Sequence, residues 1–414
     1  MTFVNQDIVE KIKTNYKLPV YLYNEKEIKD SAQEFANFSS AFGHTPRYAM
    51  KASSNINILK ILKNQGFSID ASSEFEVYRA LNAGFEGKQV QLSGQQLPEH
   101  MENVLDKGVY FVANSLYQLE QFGKIGRGSE VGIRVNPGIS SGAFEAIATG
   151  GPSSSFGIRY EYIPLIKGIA QKYNLRITKL HIHIGSENTP QARVYTAGVG
   201  FDILREFEDI NTLNLGGGFK KAIMPYEKTA DLQSIQEAVK EKFEEFYQQT
   251  GRKIHLEVEP GKYVVINACS VIGKVIDKVD TGQEGYTFLK VNTGMTEMPR
   301  FSLYGVQQPI SVFNNSKEAK KYVVVGHCCE SGDMLTCKLY EPETIQQIEL
   351  PKTEIGDVIV VDGAGAYNST MSMKNYNSFP EAGELLLREN GELIKIRERQ
   401  NPEDIWKNEI EAIQ

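Results

Sequence analysis

Five short segments of the chain hold residues whose types and neighbours could do chemistry. They are Lys51 at the end of RYAMK, Asp70 in FSIDA, His183 in HIHIGSE, Gly216, Gly217 and Gly218 in LNLGGGF, and Glu259 before Pro-Gly in LEVEPGK. A lysine is ordinarily a solvated surface charge. Held at the end of an extended run, in a crowded place or near a second cation, its amine instead becomes a nucleophile toward a carbonyl carbon. Three consecutive glycines make either a flexible loop or a stretch of backbone N–H groups that can approach an anion where side chains would crowd it out. Glu259 could be a plain strand end before a turn. A carboxylate there could also keep a heterocyclic nitrogen protonated, so that the ring accepts the electron pair left when a C–C bond to carbon dioxide breaks. His183, nearest the end of its run, suits stacking on a planar cofactor, whereas His181 on the same strand face reads as a core histidine.

These segments need a scaffold that gathers them. From about residue 45 to 261, short β-branched or apolar runs alternate with helical periodicity, the signal for parallel βα units. The runs are Arg47–Ala52, Phe67–Ala71, Val90–Ser93, Tyr110–Ala113, Glu130–Val135, Lys179–Ile184, Leu213–Leu215 and Ile254–Glu259. Between them lie candidate helices such as Ile56–Gln65, Glu74–Ala83, Leu116–Phe122, Tyr162–Tyr173 and Asp231–Tyr247. Eight units in roughly 220 residues predict a closed (β/α)8 TIM-like barrel, whose chemistry sits at the C-terminal ends of its strands. Lys51 ends the first strand, Asp70 the second, His183 with Gly185-Ser186 the sixth, the glycines the seventh and Glu259-Pro260-Gly261 the eighth. Barrels often bind phosphate through the loops after strands seven and eight, which favours the anion-binding reading of the glycines.

After Gly261 the pattern changes. Val264–Ile266, Thr287–Val291, Lys321–Val325 and Asp357–Val361 alternate with turn-rich polar stretches and predict an antiparallel β domain, with the VYLY run at Val20–Tyr23 as a further strand of it. The expected organisation is a barrel over 30–265 and a β domain from 1–29 and 266–414. A chain of 414 residues is long enough for two such units. A net charge of -7 argues against a nucleic-acid partner. The opening MTFVNQDIVEKIK has no basic and then apolar leader pattern, and no apolar run is long enough to span a bilayer, so no membrane association and a cytoplasmic location are expected. Four cysteines without a Cys-x-x-Cys pair predict reduced thiols and no metal site.

In their order along the chain, YAMKASSN, HIHIGSE, LNLGGGF, LEVEPGKY, GHCCESGDML and GAGAYNSTMSMKNYNSFPEAGELLL resemble the motifs of the fold-type III pyridoxal-phosphate decarboxylases, and within them the diaminopimelate decarboxylases. The resemblance implies pyridoxal 5'-phosphate as cofactor and Lys51 as its Schiff-base lysine. It implies that His183 covers one ring face and Glu259 holds the pyridine nitrogen, with Asp70 a supporting contact near Lys51. Ser186, Gly217, Gly218, Gly261 and Tyr367 would bind the phosphate. Members of the family are homodimers with shared active sites, so Cys329 and Glu330 would arrive from the partner subunit. Cys329 would protonate the carbanion, with Cys328 a spectator. Arg300 and Tyr304 in PRFSLYG would clamp the distal carboxylate of the substrate and Glu330 would pair its distal ammonium, because a guanidinium fork suits a carboxylate, with Lys262 and Tyr367 as further substrate contacts. Lys262 stands where the family has an arginine, Ser155 where it has a lysine, Glu187 where it has a glutamine and Asn214 where it has an aspartate. The implied activity is decarboxylation of meso-2,6-diaminopimelate to L-lysine and carbon dioxide. Lysine, ornithine or a carboxylated polyamine or siderophore intermediate are the related substrates that Lys262 leaves open. A racemase would need a cation in the place of Glu259, and a non-catalytic cofactor-binding regulator would have no need of Cys329.

Overall fold

The computed structural model describes residues 3–138, 151, 153–185 and 189–413. The chain divides into two compact units, one of Lys29–Lys221 and Lys228–Val264, the other of Met1–Ile28, Ala222–Glu227 and Val265–Gln414.

The first unit is a closed parallel barrel. Its strands are β1 (His44–Ala49), β2 (Ser68–Ala71), β3 (Val90–Leu92), β4 (Tyr110–Ala113), β5 (Glu130–Asn136), β6 (Arg176–His181), β7 (Thr212–Asn214) and β8 (His255–Val258). Each pairs in parallel with the next, β4 pairs with β5, and β8 returns to β1, so the ring has no free edge. The expected strands are all present, with ends displaced by a few residues. The largest displacements are in β1, which ends at Ala49 short of Lys51, and in β6, which ends at His181, so His183 lies on the loop beyond it. Helices follow where the sequence supplies a side chain to cap their first N–H groups: Asn55 before Ile56–Asn64, Ser73 before Glu74–Asn82, Ser115 before Leu116–Ile125 and Asp231 before Leu232–Thr250. The helix Pro190–Leu204 escapes periodicity because its buried face carries Arg193, Thr196 and Gly200 beside Ala197, Phe201 and Leu204, so no apolar stripe marks it.

The second unit is a mostly antiparallel sheet built on the long strand Cys269–Asp280. That strand pairs antiparallel with Val20–Asn24, Thr287–Val291 and Val358–Val361. Val20–Asn24 therefore joins this sheet as the sequence predicts, and it also pairs in parallel with Gly383–Leu387. Val9 and Ile12 of the helix Gln6–Asn15 belong to one buried cluster with Val20, Leu22, Ile272, Val358 and Leu385. One expected strand is corrected: Val264–Ile266 falls in the helix Lys262–Val265 and the 3-10 turn Ile266–Ala268. Val264, Val265 and Ile266 are all buried, and three consecutive apolar residues carry no period that separates strand from helix. Among the described residues no helix is long and apolar enough to cross a membrane.

Candidate active site

The barrel interior beneath the strand ends is polar, and its groups are matched in pairs. Glu257 on β8 accepts from Arg47 on β1 at 2.7 Å and from Lys179 on β6 at 2.7 Å. Although burial opposes ionisation, those two cations draw Glu257 down to about 2, while burial and Arg47 lower Lys179 to about 8. Lys179 Nζ also donates to Gln91 Oε1 at 2.9 Å, and Gln91 Nε2 donates to Asp70 Oδ1 at 3.1 Å and to Glu259 Oε1 at 3.0 Å. Asn214 Nδ2 gives Glu259 Oε1 a second donor at 2.7 Å, and His181 Nε2 lies 3.3 Å from Glu259 Oε2.

Two buried acids thus share one floor, and they divide their protons unequally. Burial alone would raise Glu259, but His181, His183 and Lys51 bring it well below the ordinary carboxylate value. Asp70 goes the other way: burial and the Glu259 charge push its carboxyl well up. Of the two, Glu259 is accordingly the acid held toward its ionised form and Asp70 the one held toward its protonated form. His183 is pushed well down by burial and by Arg134, which keeps the ring neutral. Arg134 on β5 packs over Phe156 at 4.8 Å, and its buried Nη2 has no hydrogen-bond partner among the described residues.

Lys51 sits in the 3-10 turn Met50–Ala52 immediately after β1, is exposed and carries a charge. That charge acts on Asp70, Glu259 and His183, which places the four groups at one mouth. The glycines form a tight strap there. Gly216 and Gly218 have φ of 67° and 89°, the left-handed region that side chains avoid. A Cβ on Gly216 would stand 2.5 Å from the His183 ring, and one on Gly217 would stand 2.5 Å from the Glu259 carbonyl oxygen. Arg193, stacked 4.1 Å over Phe219, donates to the carbonyls of Leu215 at 3.2 Å and Gly217 at 2.5 Å and so fixes the strap from the helix Pro190–Leu204. Gly261 lies two residues beyond Glu259, and a Cβ on it would stand 3.1 Å from Ala49, a tight fit. Lys262 opens the next short helix and is half-buried. Ser186 and Glu187 lie outside the described residues.

In the β unit, Arg300 and Tyr304 lie on one helical turn. Burial pulls the Arg300 guanidinium down, and Tyr367, Tyr304, Glu227 and Tyr340 act to raise it again, so the expected trio of Arg300, Tyr304 and Tyr367 is brought together. Its buried Nη1 has no hydrogen-bond partner among the described residues. Tyr367 holds a φ of 56°, an uncommon conformation for a bulky residue and one that marks a constrained position. Cys329 is exposed, and its N–H donates to Asn377 Oδ1 at 2.8 Å. The Cys328 thiol, by contrast, is pushed up to about 12 by burial and by Asp333, which leaves it inert. Glu330 accepts from the Gly332 N–H at 3.2 Å and from the Tyr376 hydroxyl at 3.4 Å, and it borders a cleft of about 500 Å³ shared with Met295, Met373 and Lys374. Asp333 takes the N–H groups of Met295 at 2.6 Å and Cys328 at 2.9 Å, tying the segment before Arg300 to the Cys329 loop.

The pyridoxal binding domain of the pyridoxal-dependent decarboxylases matches residues 26–266. The chain belongs to the pyridoxal-dependent decarboxylase family. The diaminopimelate decarboxylase of Buchnera aphidicola subsp. Acyrthosiphon pisum is 32% identical to it, with 97% of this chain and 96% of the relative covered. A crystal structure of diaminopimelate decarboxylase superposes with a TM-score of 0.91 at 28% identity, covering 98% of this chain and 97% of the other. The Helicobacter pylori diaminopimelate decarboxylase complexed with L-lysine superposes with a TM-score of 0.84 at 27% identity, covering 96% and 98%.

Pyridoxal phosphate, the cofactor of this family, fits the barrel mouth on the structure's own terms. The glycine strap is closed to any side chain and open to an anion, and a buried, ionised carboxylate faces the same space as an accessible lysine amine. Sequence reasoning missed Arg47, Gln91, Arg134, Lys179, Arg193 and Glu257, and it noted Asn214 only as a departure. The available signal was a polar residue inside a short apolar strand run, as in VQL, ITKLH and HLEV.

Proposed function

We propose that this chain decarboxylates meso-2,6-diaminopimelate to L-lysine and carbon dioxide. The observation that carries the reading is the ionised, buried Glu259 in the same barrel mouth as Lys51. Bound pyridoxal phosphate supplies an electron sink for the pair released when the carboxylate leaves. Lys51 offers the amine that attaches to the cofactor's aldehyde and afterwards moves protons. Glu259 holds the proton on the ring nitrogen, which favours the electron-sink chemistry of decarboxylation over racemisation. Neutral His183 covers a ring face, neutral Asp70 supports the same floor, and Ser186, Gly217, Gly218, Gly261 and Tyr367 take the phosphate.

Arg300 supports the choice of substrate: a buried guanidinium nitrogen without a partner among the described residues suits the distal carboxylate that ornithine and lysine lack. Tyr304 and Tyr367 stand beside it, Glu330 receives the distal ammonium, and Lys262 adds a cation. The enzyme acts as a cytoplasmic homodimer in which Cys329 and Glu330 serve the partner's barrel, and the Cys329 thiol delivers the proton to Cα.

Carbon dioxide release across a panel of meso-diaminopimelate, L-lysine and L-ornithine tests the substrate, with release from diaminopimelate alone expected and preference for ornithine or lysine overturning it. Mixed dimers of Lys51→Ala and Cys329→Ala test the sharing of sites: partial recovery of activity is expected, and absence of recovery means that each chain completes its own site.

A further inference from the structure

Gln91 lies at the centre of the barrel floor and is fully buried. Its amide is oriented by its neighbours. Lys179 can only donate, so the atom facing it at 2.9 Å must be the oxygen, and the nitrogen then faces the two acids. All three hydrogen-bonding capacities used here are filled: Nε2 donates to Asp70 Oδ1 at 3.1 Å and to Glu259 Oε1 at 3.0 Å, and Oε1 accepts from Lys179. The reverse orientation would set an oxygen against two carboxyl groups and a nitrogen against an ammonium. Lys179 is itself fixed, bound to Glu257 and lying 4.4 Å over the Tyr110 ring. The amide therefore cannot turn without breaking three contacts.

We propose that Gln91 is a positioning residue for the reaction: anchored on Lys179, it bridges Asp70 and Glu259 and fixes the Glu259 carboxylate through Oε1, leaving Oε2 to the ring nitrogen of the cofactor. The proposal rests on the reading of Glu259 given above. Asn214 is the second donor to the same oxygen, so Oε1 is held from both β3 and β7 while Oε2 faces His181 Nε2 at 3.3 Å. The charged and titratable groups that act on this pair of acids are Lys51 after β1, Arg47 on β1, Glu76 on the helix Glu74–Asn82, Arg134 on β5, Lys179 and His181 on β6, and His183 beyond it. Gln91 donates to both acids. A neutral bridge donates to either acid without adding a charge of its own, so the acid nearer the cations can remain ionised while the other keeps its proton.

The test uses holoenzyme reconstituted with pyridoxal phosphate labelled with nitrogen-15 in the ring, and follows the ring-nitrogen chemical shift against pH in the wild type, Glu259→Gln and Gln91→Met, alongside kcat and KM. In the wild type the ring nitrogen stays protonated, and in Glu259→Gln it does not. In Gln91→Met the cofactor still binds, the ring nitrogen loses its proton at least about one pH unit lower than in the wild type, and kcat falls about tenfold or more with little change in KM. Should Gln91→Met fail to fold, Lys179→Met, which frees the amide to turn while keeping both acids, is expected to show a smaller shift in the same direction. A ring-nitrogen titration in the folded variant that matches the wild type overturns the proposal whatever happens to kcat. A wild type indistinguishable from Glu259→Gln overturns instead the assignment of Glu259 on which it rests.

Discussion

The barrel mouth and the recognition residues of the β unit solve opposite problems. In the barrel, charged side chains are buried and satisfied by one another: Arg47 and Lys179 by Glu257, Glu259 by Gln91 and Asn214. In the β unit, Cys329 and Glu330 are exposed, and Arg300 keeps a buried nitrogen with no partner among the described residues. A closed network fixes which acid is ionised before any ligand arrives, because a buried charge depends on its partners. An unmatched donor waits for a ligand to supply the missing group, and discriminates against ligands that lack it. The barrel also keeps buried atoms without a hydrogen-bond partner among the described residues, Arg47 Nε, Ser93 Oγ and Arg134 Nη2 among them.

Substitutions can break or sharpen this contrast. Lys51→Ala is expected to cost the most, abolishing the visible absorbance of the bound cofactor and lowering carbon dioxide release by about 10⁴-fold or more. Cys329→Ala is expected to leave the absorbance intact and to lower kcat by roughly 10²-fold or more, as loss of a proton donor does. If both variants lose cofactor, the division between an internal network and an external loop fails. Glu257→Leu leaves Arg47 and Lys179 as uncompensated buried cations and is expected to destabilise the fold by about 3 kcal/mol or more, read as a lower melting temperature. An unchanged melting temperature would mean that the network is not what holds the barrel interior. Arg300→Lys keeps the charge but loses the fork, so KM for diaminopimelate should rise roughly tenfold or more while kcat changes little.

The smallest effect concerns Glu297, whose side chain is buried and accepts from Thr293 and from the Gly294 N–H. Burial raises its carboxyl to about 7. A carboxyl raised in the folded state favours folding while it is protonated, so this contribution is complete below the unfolded value and is lost as pH climbs through about 7. Denaturation midpoints should fall between about pH 5 and 8, by up to about 3 kcal/mol from this group, and Glu297→Gln should flatten the profile. A profile equally steep in that variant removes Glu297 as the source.

Much of the architecture was legible because it is written locally. The eight strand runs, the capped helices between them and Lys51 just beyond β1 each follow from a short stretch of chain. Legibility failed where the buried face is partly polar, as in Pro190–Leu204, and where a short run is buried throughout, as in Val264–Ile266, since neither shows an apolar period. Of the candidate site, the residues in recognisable motifs were found, and the floor beneath them was not.

That floor marks the boundary between what the chain's order determines and what its folding decides. The sequence by itself determined the order of the strand runs and the places of Lys51, the three glycines and Glu259 near their ends, because each depends on residues adjacent in the chain. Only the closed barrel decided that Gln91 would face both Asp70, 21 residues away, and Glu259, 168 residues away. Hydrogen bonds across a barrel join side chains that no local period relates, and the ionisation of Glu259 depends on those distant neighbours.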